Sequence, residues 1–114
     1  MRTRIKVCCI ASVEEARIAI EAGADALGLV GAMPSGPGPI PDYRIAEITG
    51  FAPPPIATFL LTSEQNADAI SAHVRRTRPT TVQIVSHIDP VQVARRGVYA
   101  RLVERQVTSV AAPE

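Results

Sequence analysis

Arg4-Ile5-Lys6-Val7-Cys8-Cys9-Ile10-Ala11-Ser12-Val13-Glu14-Glu15-Ala16 is the stretch whose reading decides the fold. Ile5 to Ile10 is a short, mostly apolar run with the character of a buried strand. A helix opens directly behind it. Ser12 and Glu15 make a capping box, in which the serine accepts from the third helical amide and the glutamate reaches back. Val13, Ala16, Ala19 and Ile20 recur at helical spacing, while Glu14, Arg17 and Glu21 face water. Gly23 ends the helix, because glycine takes the left-handed cap conformation without a steric cost.

The same strand-then-helix unit repeats along the chain. Asp25 to Gly31 is a nearly continuous apolar run, as a parallel strand covered on both faces requires. Ala32 to Pro41 follows, with four prolines and two glycines. That composition excludes helix and central strand, and its place between a strand and a helix makes it a candidate active-site loop. Asp42 is expected to cap a short helix running to about Phe51. A third strand, Ile56 to Leu61, follows the Pro53-Pro54-Pro55 stop. Thr62-Ser63-Glu64-Gln65 offers a second capping box, with Ala67, Ile70 and Val74 as the buried stripe and Arg78-Pro79 as the end of that helix. His73 lies beside the stripe and is expected to be half-exposed. The fourth unit is the strand Thr80 to Ser86, then a helix opened by Asp89-Pro90 and running through Val91, Ala94, Val98 and Leu102. The arginines at 95, 96, 101 and 105 make its solvated face. Residues 107–111 are expected as a frayed strand or a tail.

Repeated β/α units predict an α/β protein with a parallel sheet and right-handed crossovers. Two architectures fit: an open doubly wound sheet, and about four units of a (β/α)8 TIM barrel. A whole barrel needs about 250 residues, and this chain has 114.

Composition narrows the function. Twelve basic residues face eleven acidic ones, for a net charge of +1, so no electrostatic footprint for nucleic acid or an anionic membrane is present. Aromatic residues are only 4% and tryptophan is absent, which removes stacking platforms for single strands and leaves a core of Val, Ile, Leu and Ala. The apolar run after the basic amino terminus stops at Ser12 and Glu14, short of a signal-peptide core of roughly 7–15 residues. Nothing approaches the roughly 20 apolar residues of a membrane span. The two cysteines are neighbours. On a strand they would point to opposite faces, so they make no disulfide framework; reduced thiols and a cytoplasmic setting are expected.

Lys6-Val7-Cys8-Cys9-Ile10, then Ser12-Val13-Glu14-Glu15-Ala16, then Ala22-Gly23-Ala24-Asp25-Ala26-Leu27-Gly28-Leu29-Val30 resembles the start of the phosphoribosylanthranilate isomerase family. That family opens on Lys-x-Cys-Gly-Ile-Thr and continues with Glu-Ala-Gly-Ala-Asp-Ala-Leu-Gly-Phe. The strands holding Phe59 and Val82-Gln83-Ile84 resemble its third and fourth. The similarity runs from about residue 4 to residue 90, so residues 90–114 form a poorly matched segment of one truncated barrel domain, 1–114.

The resemblance implies a (β/α)8 barrel of tryptophan biosynthesis that needs no metal or organic cofactor. It implies an aldose-to-ketose Amadori isomerisation of N-(5′-phosphoribosyl)anthranilate, with a phosphorylated sugar as the small-molecule ligand. The family's base, a cysteine, falls on Cys8; its acid, an aspartate, belongs to the second half of the barrel. Lys6 and Gln83 fall on substrate-binding positions. Alternation places Lys6 on the face of Cys8, where an ammonium favours the thiolate over a free thiol of pKa about 8.5. Cys9 is expected to point into the helix layer as a small buried hydrophobe.

Several positions depart from the family. Cys9 replaces its motif glycine, and Gly38 stands where a Ser-Pro-Arg element places an arginine. Val85 and Ser86 replace His-Gly, with His87 displaced by two. The acid aspartate and the phosphate loops are missing, so impaired activity is expected. A truncated or shifted reading frame, or pairing of the half-barrel with a partner, would account for the gap. The alternative is a non-catalytic phosphosugar-binding or interaction module on a half-barrel or open parallel sheet. Four strands cannot close a barrel, so a homodimer through the exposed half-barrel face, or aggregation, is expected of the isolated chain.

Overall fold

A computed structural model describes residues 2–86, 88–89 and 91–92. The elements alternate: β1 (Lys6–Val7), α1 (Val13–Glu21), β2 (Ala26–Val30), α2 (Asp42–Phe51), β3 (Ala57–Thr62), α3 (Ala67–Thr77) and β4 (Thr81–Ile84). The strands pair in parallel in the order β1-β2-β3-β4. A doubly wound sheet reverses its strand order at a switch point. Here every strand is added on the same side of the last, which is how a barrel wall grows.

Register defines the two faces. Leu27, Leu29, Leu60, Val82 and Ile84 point to the helices and are buried against Ala16, Ala19, Ile45, Ile48, Ile70 and Val74. The other face carries Ala26, Gly28 and Val30 of β2, paired with Ala57, Phe59 and Leu61 of β3; Thr81 and Gln83 of β4 pair with Phe59 and Leu61. β1 and β4 stand three strand spacings apart, roughly 14 Å on a flat sheet. Lys6 Nζ nevertheless donates to Gln83 Oε1 at 2.6 Å and lies 4.8 Å from the centre of the Phe59 ring. The sheet therefore curls toward this face.

The helix ends show where local signals hold. Ser12 Oγ accepts from Glu15 N at 3.1 Å, and Glu15 Oε1 accepts from Ala11 N at 2.8 Å. At the other end of α1, Gly23 has φ +106°. Ala24 N donates to Ala19 O and Gly23 N to Ile20 O, each at 3.0 Å, the paired bonds of a Schellman cap. Asp25 immediately precedes β2, and its carboxylate accepts from Arg2 and from Ile5 N, the latter at 2.8 Å.

Four expectations are corrected. β1 is only Lys6–Val7, because Cys9 has φ +60° and breaks the extended run. Asp42 caps nothing: it lies inside α2, whose N-cap is Pro41, and its carboxylate accepts from His73 Nε2 and Arg76 Nε, each at 2.9 Å. Thr62 opens no capping box. It ends β3, and Asn66 caps α3 by accepting from Ala69 N at 2.8 Å. His73 is buried, at 4% exposure, between Asp42 and Thr62 Oγ1, which lies 2.9 Å from Nδ1. The helix expected beyond Gln92, its arginine face and the segment 107–111 lie outside the described residues. At its start, Asp89 Oδ1 accepts from Val91 N at 2.9 Å, as its capping role requires.

Candidate active site

A cleft of about 520 Å³ opens at the carboxyl ends of the strands. Its walls are Cys8 and Cys9 after β1, Val30 of β2, Leu61 of β3, Val85 and Ser86 after β4, and the proline-rich loop through Met33, Pro34, Ser35 and Pro37. The loop is held rather than loose. Ile40 N donates to Val30 O at 2.9 Å, and Ser63 Oγ donates to Ala32 O at 2.9 Å. The candidate loop thus roofs the strand ends, where catalytic groups of β/α proteins gather.

Glycines make room for the thiols. A Cβ at Gly28 would stand 2.6 Å from Cys8 Sγ and 3.0 Å from Cys8 Cα. One at Gly38 would stand 2.7 Å from Cys9 Sγ. Cys9 is exposed and faces the cleft rather than the helix layer, which overturns its expected burial. The reason is local: a residue in the left-handed region no longer follows strand alternation. The glycine that the resembled family keeps in this slot was the signal for that conformation. In the sequence Gly28 reads only as part of a strand, and its role as the floor beneath Cys8 depends on the β1–β2 pairing.

Lys6 and Gln83 do come together, in direct contact on the interior face. The Lys6 ammonium is turned to Gln83 and the Phe59 ring rather than hydrogen-bonded to the Cys8 sulfur. Among the described residues, no carboxylate lines the cleft, and no cluster of three or more metal-ligating side chains exists. His87 lies outside them. The Thr62–His73–Asp42–Arg76 chain resembles a catalytic relay in residue type, but Thr62 is fully buried on the helix side of the sheet. Partial burial pushes the Asp42 carboxyl up. Arg76 and His73 outweigh it, so its pKa falls below the ordinary value. This chain ties α2 to α3 behind the site.

Fold and cleft together define one side of a parallel β/α barrel, with a thiol at the carboxyl end of its first strand. Comparison with known proteins gives the family. N-(5′-phosphoribosyl)anthranilate isomerase of Geotalea uraniireducens is 44% identical over 82 residues, covering 72% of this chain and 40% of that protein. The crystal structure of phosphoribosyl anthranilate isomerase from Thermus thermophilus superposes with a TM-score of 0.76 at 23% identity, over 89% of this chain and 48% of that one. A phosphoribosyl anthranilate isomerase in complex with reduced 1-(o-carboxyphenylamino)-1-deoxyribulose 5-phosphate superposes with a TM-score of 0.73 at 22% identity, over 96% and 59%. No protein-family model matches the chain. In sequence and in fold, the chain matches the amino-terminal part of phosphoribosylanthranilate isomerases. It spans less than half the length of the curated relatives it matches. No helix among the described residues is long and apolar enough to cross a membrane.

Proposed function

We propose that the chain forms the base-bearing side of a phosphoribosylanthranilate isomerase site. The observation that carries this reading is the Cys8 thiol, which opens into a roofed cleft at the end of β1 on a floor made by Gly28. Cys8 is the general base that removes the C2′ proton of N-(5′-phosphoribosyl)anthranilate, and the electrons left behind form the enol that becomes the ketose. Opening the sugar first requires an acid at the ring oxygen. With no carboxylate on the described cleft walls, that acid comes from outside them. Lys6 and Gln83 hold the substrate from the interior face, where one ammonium and one amide already meet. A homodimer through the exposed interior face belongs to the same reading.

A second reading, phosphosugar binding without turnover, is favoured by Gly38. Where the resembled family has an arginine, this position has φ +99° and its Cβ space is occupied by the Cys9 sulfur.

The assay is loss of the substrate's anthranilate fluorescence. The 114-residue chain alone is expected to give little or no turnover. Turnover that disappears in Cys8→Ser would mean that the chain supplies its own acid. Turnover that survives Cys8→Ser would remove Cys8 as the base. Calorimetric binding of the reduced product analogue, weakened by Lys6→Met and Gln83→Leu, is expected under both readings; its absence would sink both.

A further inference from the structure

The isomerase chemistry uses one thiol, yet the cleft holds two. Neighbouring residues of a strand point to opposite faces, but Cys9 has φ +60°, and both cysteines line the same cavity. Each sulfur is seated against a glycine, Cys8 against Gly28 and Cys9 against Gly38, at spacings that a Cβ on either glycine would close. Partial desolvation, then the interaction with Cys8, pushes the Cys9 thiol up. Neither is in a disulfide.

The surroundings select the ligand. Pro37 O, 3.9 Å away, accepts from the Cys9 thiol, and the walls beyond are largely the apolar Val30, Met33, Pro34 and Leu61. Zinc prefers four nitrogen or sulfur ligands, and among the described residues no third ligating side chain joins the pair. A direct disulfide is disfavoured, because neighbouring Cα atoms lie about 3.8 Å apart, below the usual minimum of about 4.4 Å. A soft centre that takes two sulfurs and bridges them through one atom meets neither obstacle.

We propose that Cys8 and Cys9 form a preorganised vicinal dithiol site for trivalent arsenicals. An arsonous acid, R–As(OH)2, exchanges its two As–O bonds for two As–S bonds. Each thiol proton leaves with a hydroxyl as water, and arsenic stays trivalent. Bound arsenic fills the cleft at Cys8, so the same step blocks any chemistry that needs that thiol. The inference rests on the two sulfurs and their seats, not on the isomerase reading, and adduct formation is read without any turnover.

The test uses the reduced 114-residue chain and phenylarsine oxide, followed by intact mass and free-thiol count. One arsenical per chain is expected, with both thiols blocked, stable to excess glutathione and released by 2,3-dimercaptopropanol. Cys9→Gly, a substitution suited to the left-handed backbone, and Cys8→Ser are each expected to lose glutathione-resistant binding, with far-UV circular dichroism to show that the variants fold. The folded chain is expected to bind at least about tenfold more tightly than a free peptide of residues 4–14, since the fold has already oriented both sulfurs. Equal affinity of chain and peptide, two arsenicals per chain, or unchanged resistance in folded Cys9→Gly would overturn the proposal.

Discussion

At Cys9 the backbone has φ +60°, a conformation that costs a non-glycine residue about 1–2 kcal/mol. Glycine would relieve that strain, and the extra freedom of its unfolded chain would return part of the gain. Cys9→Gly is therefore expected to raise stability by about 1 kcal/mol, read as a higher urea midpoint with an unchanged slope; a lower midpoint would mean that the sulfur's contacts outweigh the strain. Gly28→Ala should act in the opposite direction. Its Cβ would meet Cys8 Cα at 3.0 Å, a backbone atom that cannot rotate away. A loss of about 1–3 kcal/mol is expected, with a changed rate of Cys8 alkylation; unaltered stability and reactivity would show that β1 shifts freely. The place of Cys8 on the cleft wall was legible in the sequence because its motif is local. The direction of Cys9 was misread because alternation holds only while the strand continues, and the strand stops at Val7.

At the scale of elements, local chemistry was legible and its competition with distant partners was not. Ser12 and Glu15 have each other within one turn, and they cap α1 as their spacing requires. Thr62 offered the same pattern, but it is drawn into β3 by pairing with Ile84, and its hydroxyl serves His73, 11 residues away. Asp42 likewise serves His73 and Arg76, 31 and 34 residues away, rather than its own helix. Asp25 anchors the start of β2 to the amino terminus and carries a pH signature. Arg2's hydrogen bond, then that of Ile5 N, hold its carboxyl at about 2, below an unfolded value of about 3.9. A depressed folded pKa stabilises the protein above the unfolded value, and the contribution is lost as pH falls through the folded one. The stability difference between the protein and Asp25→Asn should thus be constant above about pH 4 and shrink between about pH 4 and 2. A difference that persists at pH 2 would mean that the carboxylate's charge does not matter there.

At the scale of the whole molecule, the repeated β/α units were legible as a parallel sheet, and the sequential strand order decides between the two architectures that the sequence left open. The sequence could not show what covers the open side. Among the described residues β1 pairs only with β2, and Ile5 and Ile18 are 54% and 66% exposed. They border a largely apolar groove of about 420 Å³ between β1 and α1. A strand with one edge unpaired among the described residues, beside an apolar groove, invites association. Light scattering is expected to give a mass of at least a dimer that rises with concentration; a monodisperse monomer would show that these surfaces are covered within the chain.

The base assignment is tested most directly by restoring a complete barrel. The chain is mixed with a separately produced carboxyl-terminal part of the Geotalea uraniireducens isomerase, of which this chain covers 40%, and the decay of anthranilate fluorescence is followed for the native chain and for Cys8→Ser. Turnover is expected from the native mixture and a loss of at least about a hundredfold with Cys8→Ser, the scale of removing a general base. Equal rates from the two mixtures would contradict the assignment of Cys8 as the base.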